Sequence, residues 1–121
     1  MFHGDIKKLA KQNKNFRKVI YTGKHSQIVV MSLLPNEDIG METHSDVDQI
    51  LIFVAGSGEA IVAGKSWKLK QGDVVFVPAG TEHDFKNIGS DDLKLYTIYS
   101  PPEHPDGTIH KTKEQAMKEK D

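Results

Sequence analysis

The sequence predicts an all-β barrel or sandwich, and three observations carry that expectation. Eight short apolar segments follow one another at near-regular spacing, at residues 16–21, 27–34, 49–55, 59–62, 67–69, 73–77, 82–86 and 93–99. Turn residues separate them, among them Thr22-Gly23, Gly56-Ser57-Gly58, Gly64-Lys65, Gln71-Gly72 and Pro78-Ala79-Gly80. No helical period survives between them, which argues against βαβ units and a parallel sheet.

The first fifteen residues differ. Asp5 is placed to cap a short helix in which Ile6, Leu9 and Ala10 form one apolar stripe. The basic residues from Lys7 to Lys24 fit either a polybasic arm or a solvated helix face, and the second is the commoner arrangement. At the other end Pro101, Pro102 and Pro105 forbid a continuing central strand, so the chain is expected to leave the sheet after Ser100. Thr112 opens a capping box with Gln115 reaching back to the cap, which predicts a helix from 113 to about 120. Ala116 and Met117 are its only apolar residues, so it is expected to lie on the surface.

Residues 49–55 are apolar on both alternating faces, with Leu51 and Phe53 on one and Ile50, Ile52 and Val54 on the other. A lone small barrel shows a polar outer face. The second face is therefore expected to be covered by another copy of the chain, as a homodimer.

Bulk composition narrows the function classes. A chain of 121 residues encloses one core, so a single domain over 1–121 is expected, with 1–15 as an N-terminal arm and 101–121 as a C-terminal loop and helix. Sixteen basic and seventeen acidic residues give a net charge of -1, too balanced to recruit nucleic acid or anionic lipid. Cysteine is absent, which excludes disulfides, thiolate catalysis and zinc-finger chemistry. The N-terminus carries no apolar signal region, and the longest apolar run, 50–55, is far short of a membrane span. A cytoplasmic location and no membrane partner are the default expectation.

The chemistry is concentrated in Gly72-Asp73-Val74-Val75-Phe76-Val77-Pro78-Ala79-Gly80-Thr81-Glu82-His83-Asp84-Phe85-Lys86-Asn87. A strand runs to Pro78, turns on Gly80, and a new strand carries His83. Strand alternation puts His83, Phe85 and Asn87 inward and the charged pair Asp84 and Lys86 outward. A histidine between apolar neighbours in a barrel needs a partner, because its ring nitrogens are costly to bury alone.

This segment resembles the second conserved motif of the cupin superfamily, G-x5-P-x-G-x2-H-x3-N, at every specified position: Gly72, Pro78, Gly80, His83 and Asn87. The first cupin motif, roughly G-x5-H-x-H-x3,4-E-x6-G, is matched in part. Gly56 sits at the closing glycine and His44 at the second histidine, while Asn36, Glu42 and Gln49 stand at the first glycine, first histidine and glutamate positions. The resemblance implies a double-stranded β-helix (cupin, or jelly-roll, barrel) with short helices at each end. It also implies a divalent transition metal, Mn, Fe, Ni, Co or Zn, held by Glu42, His44, Gln49 and His83. Glu42 and His44 are two apart in an extended segment, so they project to one side and could grip one ion. The carboxylate lost at Gln49 is regained at Glu42, which keeps the site's charge. A metal-free hydrogen-bonded cluster is the competing arrangement.

An octahedral ion on four protein ligands keeps two positions for water or substrate, whereas a tetrahedral zinc keeps none. The resemblance implies either an enzyme acting on a small oxygen-rich metabolite, by isomerisation or dioxygenation, or a binding protein without turnover. The tail around Glu103, His104 and His110, with Asp48-Gln49 and residues 93–96, resembles a subgroup of small microbial cupins, some labelled as related to mannose-6-phosphate isomerase. The proline-bracketed loop either places Glu103 and His104 over the barrel mouth or lashes the C-terminus to a neighbouring subunit, the second being slightly favoured. His3 and His25 are expected to be exposed, Trp67 to pack between sheets or at an interface, and Phe53 and Phe85 to line the pocket or fill the core.

Overall fold

The structure is a computed structural model and describes residues 1–119. In chain order the elements are α1 (Ile6–Gln12), β1 (Arg17–Thr22), β2 (Gln27–Leu33), β3 (Asp48–Ala55), β4 (Gly58–Val62), β5 (Lys65–Leu69), β6 (Val74–Val77), β7 (His83–Asn87), β8 (Leu93–Ser100), β9 (Ile109–His110) and α2 (Lys113–Lys118). Two antiparallel sheets face each other, one ordered β6-β3-β8-β2-β1-β9 and the other β5-β4-β7. Residues 36–42 extend the smaller sheet beyond β7 through bridges at Asp38–Lys86 and Glu42–His83. The eight expected strands all form, with ends shifted by one or two residues.

Alternation explains the core. Along β8 Leu93, Leu95, Thr97 and Tyr99 point inward, and along β3 Gln49, Leu51 and Phe53 do the same. Leu33, Leu51, Phe53, Phe85, Leu93 and Leu95 are fully buried between the sheets. Each such side chain stabilises the fold by about 1.5–3 kcal/mol relative to exposure. Phe53 and Phe85 pack ring to ring at 5.8 Å, so both fill core space.

Two turn positions show why their residues are needed. Asn36, where the family motif has glycine, takes φ +69°, a left-handed conformation that asparagine tolerates better than most residues. Gly56 has φ +93°, and a Cβ there would lie 2.7 Å from the Asp92 carbonyl oxygen. No side chain fits at that crossing.

The ends of the chain close the sandwich. Asp5 caps α1 by accepting from the Lys8 N–H at 3.1 Å. Ala10 of α1 then buries against Val30 and Val54, with Ile6, Ile20 and Tyr96 around it. Thus α1 covers one part of the larger sheet's outer face. The rest of that face stays open: Phe76 lies beside Ile50, and Val74 beside Ile52. Val74 and Phe76 are 61% and 55% exposed, so the apolar run 73–77 is buried on its inward face alone.

Several expectations need correction. The chain does leave the sheet after Ser100, but it returns as β9 against β1, pairing Arg17 with His110. Thr112 caps α2 by accepting from the Gln115 N–H, yet the Gln115 side chain takes the Lys111 N–H instead of the cap's own. The helix is not wholly on the surface, because Ala116 joins the core while Met117 stays exposed. It ends at Lys118, and residue 120 of the expected helix lies outside the described residues. Trp67 is 44% exposed and does not pack between the sheets.

Asp84 is not solvated like Lys86. The segment around Asp38 covers it, and its carboxylate accepts from the Gly40 N–H at 2.9 Å and the Phe85 N–H at 2.8 Å. Burial, with Asp38 alongside, pushes its carboxyl up to about 6. Burial opposes ionisation of Asp38 as well, but its ion pair with Lys113 of α2 holds that carboxyl below the usual range.

Candidate metal centre

The cluster is built by backbone pairing. Glu42 and His83 exchange reciprocal hydrogen bonds, N–H to carbonyl, at 3.0 and 2.9 Å, so their side chains rise from directly opposed positions. His44 lies two residues beyond Glu42 on the same side, and its carbonyl accepts the Gly80 N–H at 2.7 Å. Asp48 accepts the Ala79 N–H at 2.9 Å and steadies the Pro78-Ala79-Gly80 turn. Glu42, His44 and His83 thereby bring potential ligand atoms within 4.8 Å of one another.

The imidazoles are oriented. His83 Nδ1 lies 2.8 Å from the Thr81 carbonyl oxygen and must carry the proton there. Its Nε2 is buried with no hydrogen-bond partner, 3.9 Å from Glu42 Oε1. His44 Nδ1 sits 2.7 Å from Glu103 Oε2, an ion-pair distance, although neither Glu103 Oε2 nor His44 Nε2 makes a well-aligned hydrogen bond. His44 Nε2 is 3.2 Å from Glu42 Oε1. Both rings therefore turn Nε2 toward Glu42 and Nδ1 toward an acceptor, the disposition in which imidazoles present a lone pair to an ion.

Charge follows geometry. The Glu42 carboxylate beside His44 raises that imidazole's pKa against the opposing effect of burial. Burial resists ionisation of Glu42, but His44, His83 and Arg17 together hold it below its usual range. Glu103 shifts upward, burial outweighing the attraction of His44.

Gln49 comes from the opposite sheet. Its amide nitrogen donates to the hydroxyls of Thr97 and Tyr99 at 3.1 and 3.2 Å, leaving Oε1 buried and unpartnered. The Tyr99 ring meets that of His44 edge-on at 6.1 Å, which brings the Gln49 side of the core up to the cluster.

The tail folds onto this same end. Gln27 holds it: Oε1 accepts the N–H groups of Glu103 and His104, and Nε2 donates to the His104 carbonyl at 2.7 Å. The His104 ring stands edge-on to Tyr99 at 5.2 Å. The loop thus covers its own barrel, one of the two arrangements expected for it. Arg17 also reaches the interior, where its charge acts on Glu42, His44, Tyr99, Glu103 and His104. Sequence reasoning missed Arg17, set between Phe16 and Lys18, because a single arginine on a strand looks like a solvated residue. Its inward position, two before Val19, was the available signal.

Such a two-sheet barrel, with histidine and carboxylate groups gathered at one end, defines a cupin. The chain belongs to that family: the cupin-domain family model matches residues 29–99. It is 44% identical to the Bacillus subtilis (strain 168) protein YrkC, over 97% of this chain and 66% of that protein. The structure superimposes on the crystal structure of BH2720 from Bacillus halodurans with a TM-score of 0.95 at 38% identity, covering 97% of this chain and 93% of that one. A Thermotoga maritima protein described as a predicted oxalate decarboxylase is 28% identical with a TM-score of 0.62, over 65% and 69% of the two chains. The chain spans about two-thirds of the length of YrkC. Among the described residues no helix is long and apolar enough to cross a membrane.

Proposed function

We propose that this chain is a divalent-metal cupin that binds a small oxygen-rich metabolite at Glu42, His44, Gln49 and His83, for isomerisation or dioxygenation. One observation carries the reading. Nε2 of His83 and Oε1 of Gln49 are buried without hydrogen-bond partners, and Nε2 of His44 has only the half-buried Glu42 carboxylate beside it, at 3.2 Å and poorly aligned. A completed hydrogen-bond cluster would leave none of them, since each orphaned polar atom costs about 1–3 kcal/mol. Two imidazoles and two oxygens suit Mn²⁺, Fe²⁺, Ni²⁺, Co²⁺ or Zn²⁺. When bound, the ion supplies Lewis acidity toward adjacent oxygens of a sugar, enediol or dicarbonyl. Thr81 and Glu103 orient the imidazoles, and the tail keeps bulk water away.

Metal analysis of the purified protein tests this. About one equivalent is expected in the native chain and a loss of most of it in Glu42→Ala and His83→Ala. Negligible metal in all three would end the reading. Oxygen uptake on diols and diketones then separates dioxygenation from aldose–ketose interconversion. A second reading, a binding module without turnover, draws support from the tail: Gln27 fastens Glu103 and His104 over the cluster, which suits retention of a ligand.

The open outer face supports a homodimer. Ile50, flanked by Phe76 and Ile98, and Ile52, flanked by Val74 and Tyr96, form two adjoining apolar rows at the sheet's β6 edge. Sedimentation should give a dimer at micromolar concentration and a monomer for Phe76→Glu. A monomeric native chain would contradict it.

A further inference from the structure

Arg17 is the least explained charge in the molecule. It is 9% exposed, on the inward face of β1, and no ion pair involves it among the described residues. Its guanidinium donates to His110 Nδ1 at 3.1 Å, lies against the Tyr99 hydroxyl, and sits 5.2 Å from the Phe16 ring centroid. Nε is buried with no partner. The carboxylates whose charge reaches it, Glu42 and Glu103, lie beyond ion-pair distance, so the buried cation is only partly compensated, and a fold that keeps one has a use for it. Arginine's planar fork matches a carboxylate in two parallel hydrogen bonds.

The neighbours fit an anion too. Tyr99 accepts from the Gln49 amide, and its hydroxyl lies against the Arg17 guanidinium. Burial holds the phenol protonated, so its O–H can donate to an incoming carboxylate oxygen. His104 is kept neutral in the same place. With a divalent ion at the cluster, the carboxylates of Glu42 and Glu103 cancel the ion's charge and the guanidinium leaves one positive charge unmatched. A site so charged favours a monoanion over a neutral polyol.

We propose that Arg17, with the Tyr99 hydroxyl, is a carboxylate-binding site, so that the ligand of the metal cluster is a small organic acid and not a neutral sugar or diol. The inference rests on the metal reading above. A purely structural arginine would be a tail anchor, tying β9 to β1 through His110. The two roles differ in what Arg17→Met does to stability. Removing a tail anchor lowers the melting temperature. Removing an unpaired buried charge leaves it unchanged or raises it.

The experiment uses cobalt-loaded protein titrated with oxalate, glycolate and glycerol, followed by the visible absorption of the metal. The native chain should bind both acids and ignore glycerol. Arg17→Met should take up cobalt as before, melt no lower, and bind the acids ten- to a hundredfold more weakly. Arg17→Lys, which keeps the charge without the fork, should fall between. Acid binding indifferent to both variants, glycerol binding as tight as glycolate, or no acid binding would overturn the proposal alone. A native chain that takes up no cobalt overturns the metal reading and this inference together. A lower melting temperature with unchanged acid affinity assigns Arg17 to the tail instead.

Discussion

His83 and Asn87 stand on the same inward face of β7, and both are almost completely buried. Their surroundings are opposite. Asn87 uses everything it has: its amide donates to the Leu33 and Asp91 carbonyls at 2.9 and 2.8 Å, and its oxygen accepts from the Gly89 N–H at 2.9 Å. His83 satisfies one ring nitrogen on Thr81 and leaves the other empty. The contrast extends to the two ends of the core. Around Asn87 the interior is hydrocarbon with one closed polar knot. Around His83 lie Glu42, His44, Gln49, Arg17, Glu103 and His104, and among the described residues the unpartnered buried side-chain polar atoms belong to this group. A satisfied buried polar residue holds a fold together, whereas an unsatisfied one costs stability that only a ligand can return.

The largest expected effect breaks the closed knot. Asn87→Ala strands the buried Leu33 carbonyl and the half-buried Asp91 carbonyl and Gly89 N–H, which should cost about 2–4 kcal/mol in urea denaturation. The folded fraction should hold as much metal as the native chain. A loss below half a kcal/mol, or a parallel loss of metal, would erase the distinction between the two ends.

A smaller effect sharpens the other side. Glu103→Ala removes the carboxylate facing His44 Nδ1 and frees the ring to turn. Metal affinity, read by competition with a chelator, should weaken ten- to a hundredfold. Unchanged affinity would reduce Glu103 to a part of the tail's anchorage.

Much of this architecture was legible beforehand, and the reasons differ by region. Period-two alternation and turn residues located all eight main strands, since both express local backbone preferences. The two-residue spacing of Glu42 and His44 put them on one face, because extended segments fix which side chains share a face, while their meeting with His83 was what the cupin resemblance implied. Asp84 was misplaced for the opposite reason. Alternation tells which face a side chain takes, but not whether a distant segment such as 38–40 covers that face. β9 was invisible on the same ground, being two residues long and too short for any pattern, and the tail's place over the barrel was one of two arrangements the sequence left open. What binds Glu103 and His104 to the barrel is the side chain of Gln27, more than seventy positions away.

At neutral pH the last expected effect vanishes; it grows only as pH falls, and it again separates the two ends. Burial, reinforced by Arg17, pulls the His104 imidazole down to about 3. In the unfolded chain the same ring protonates near its ordinary value of about 6.5. Between those values the unfolded state binds a proton that the native state refuses. The stability due to neutral His104 is therefore complete above about pH 6.5 and is lost as pH falls toward 3, by at most about 1.4 kcal/mol per pH unit. His104→Phe keeps an aromatic edge against Tyr99 and removes the titration, so its stability should fall less steeply below pH 6.5. Urea denaturation at several pH values between 7.5 and 4 reads the difference directly. Parallel curves for the two proteins would mean that His104 is solvated, and that the His83 end of the barrel is open where the geometry has it covered.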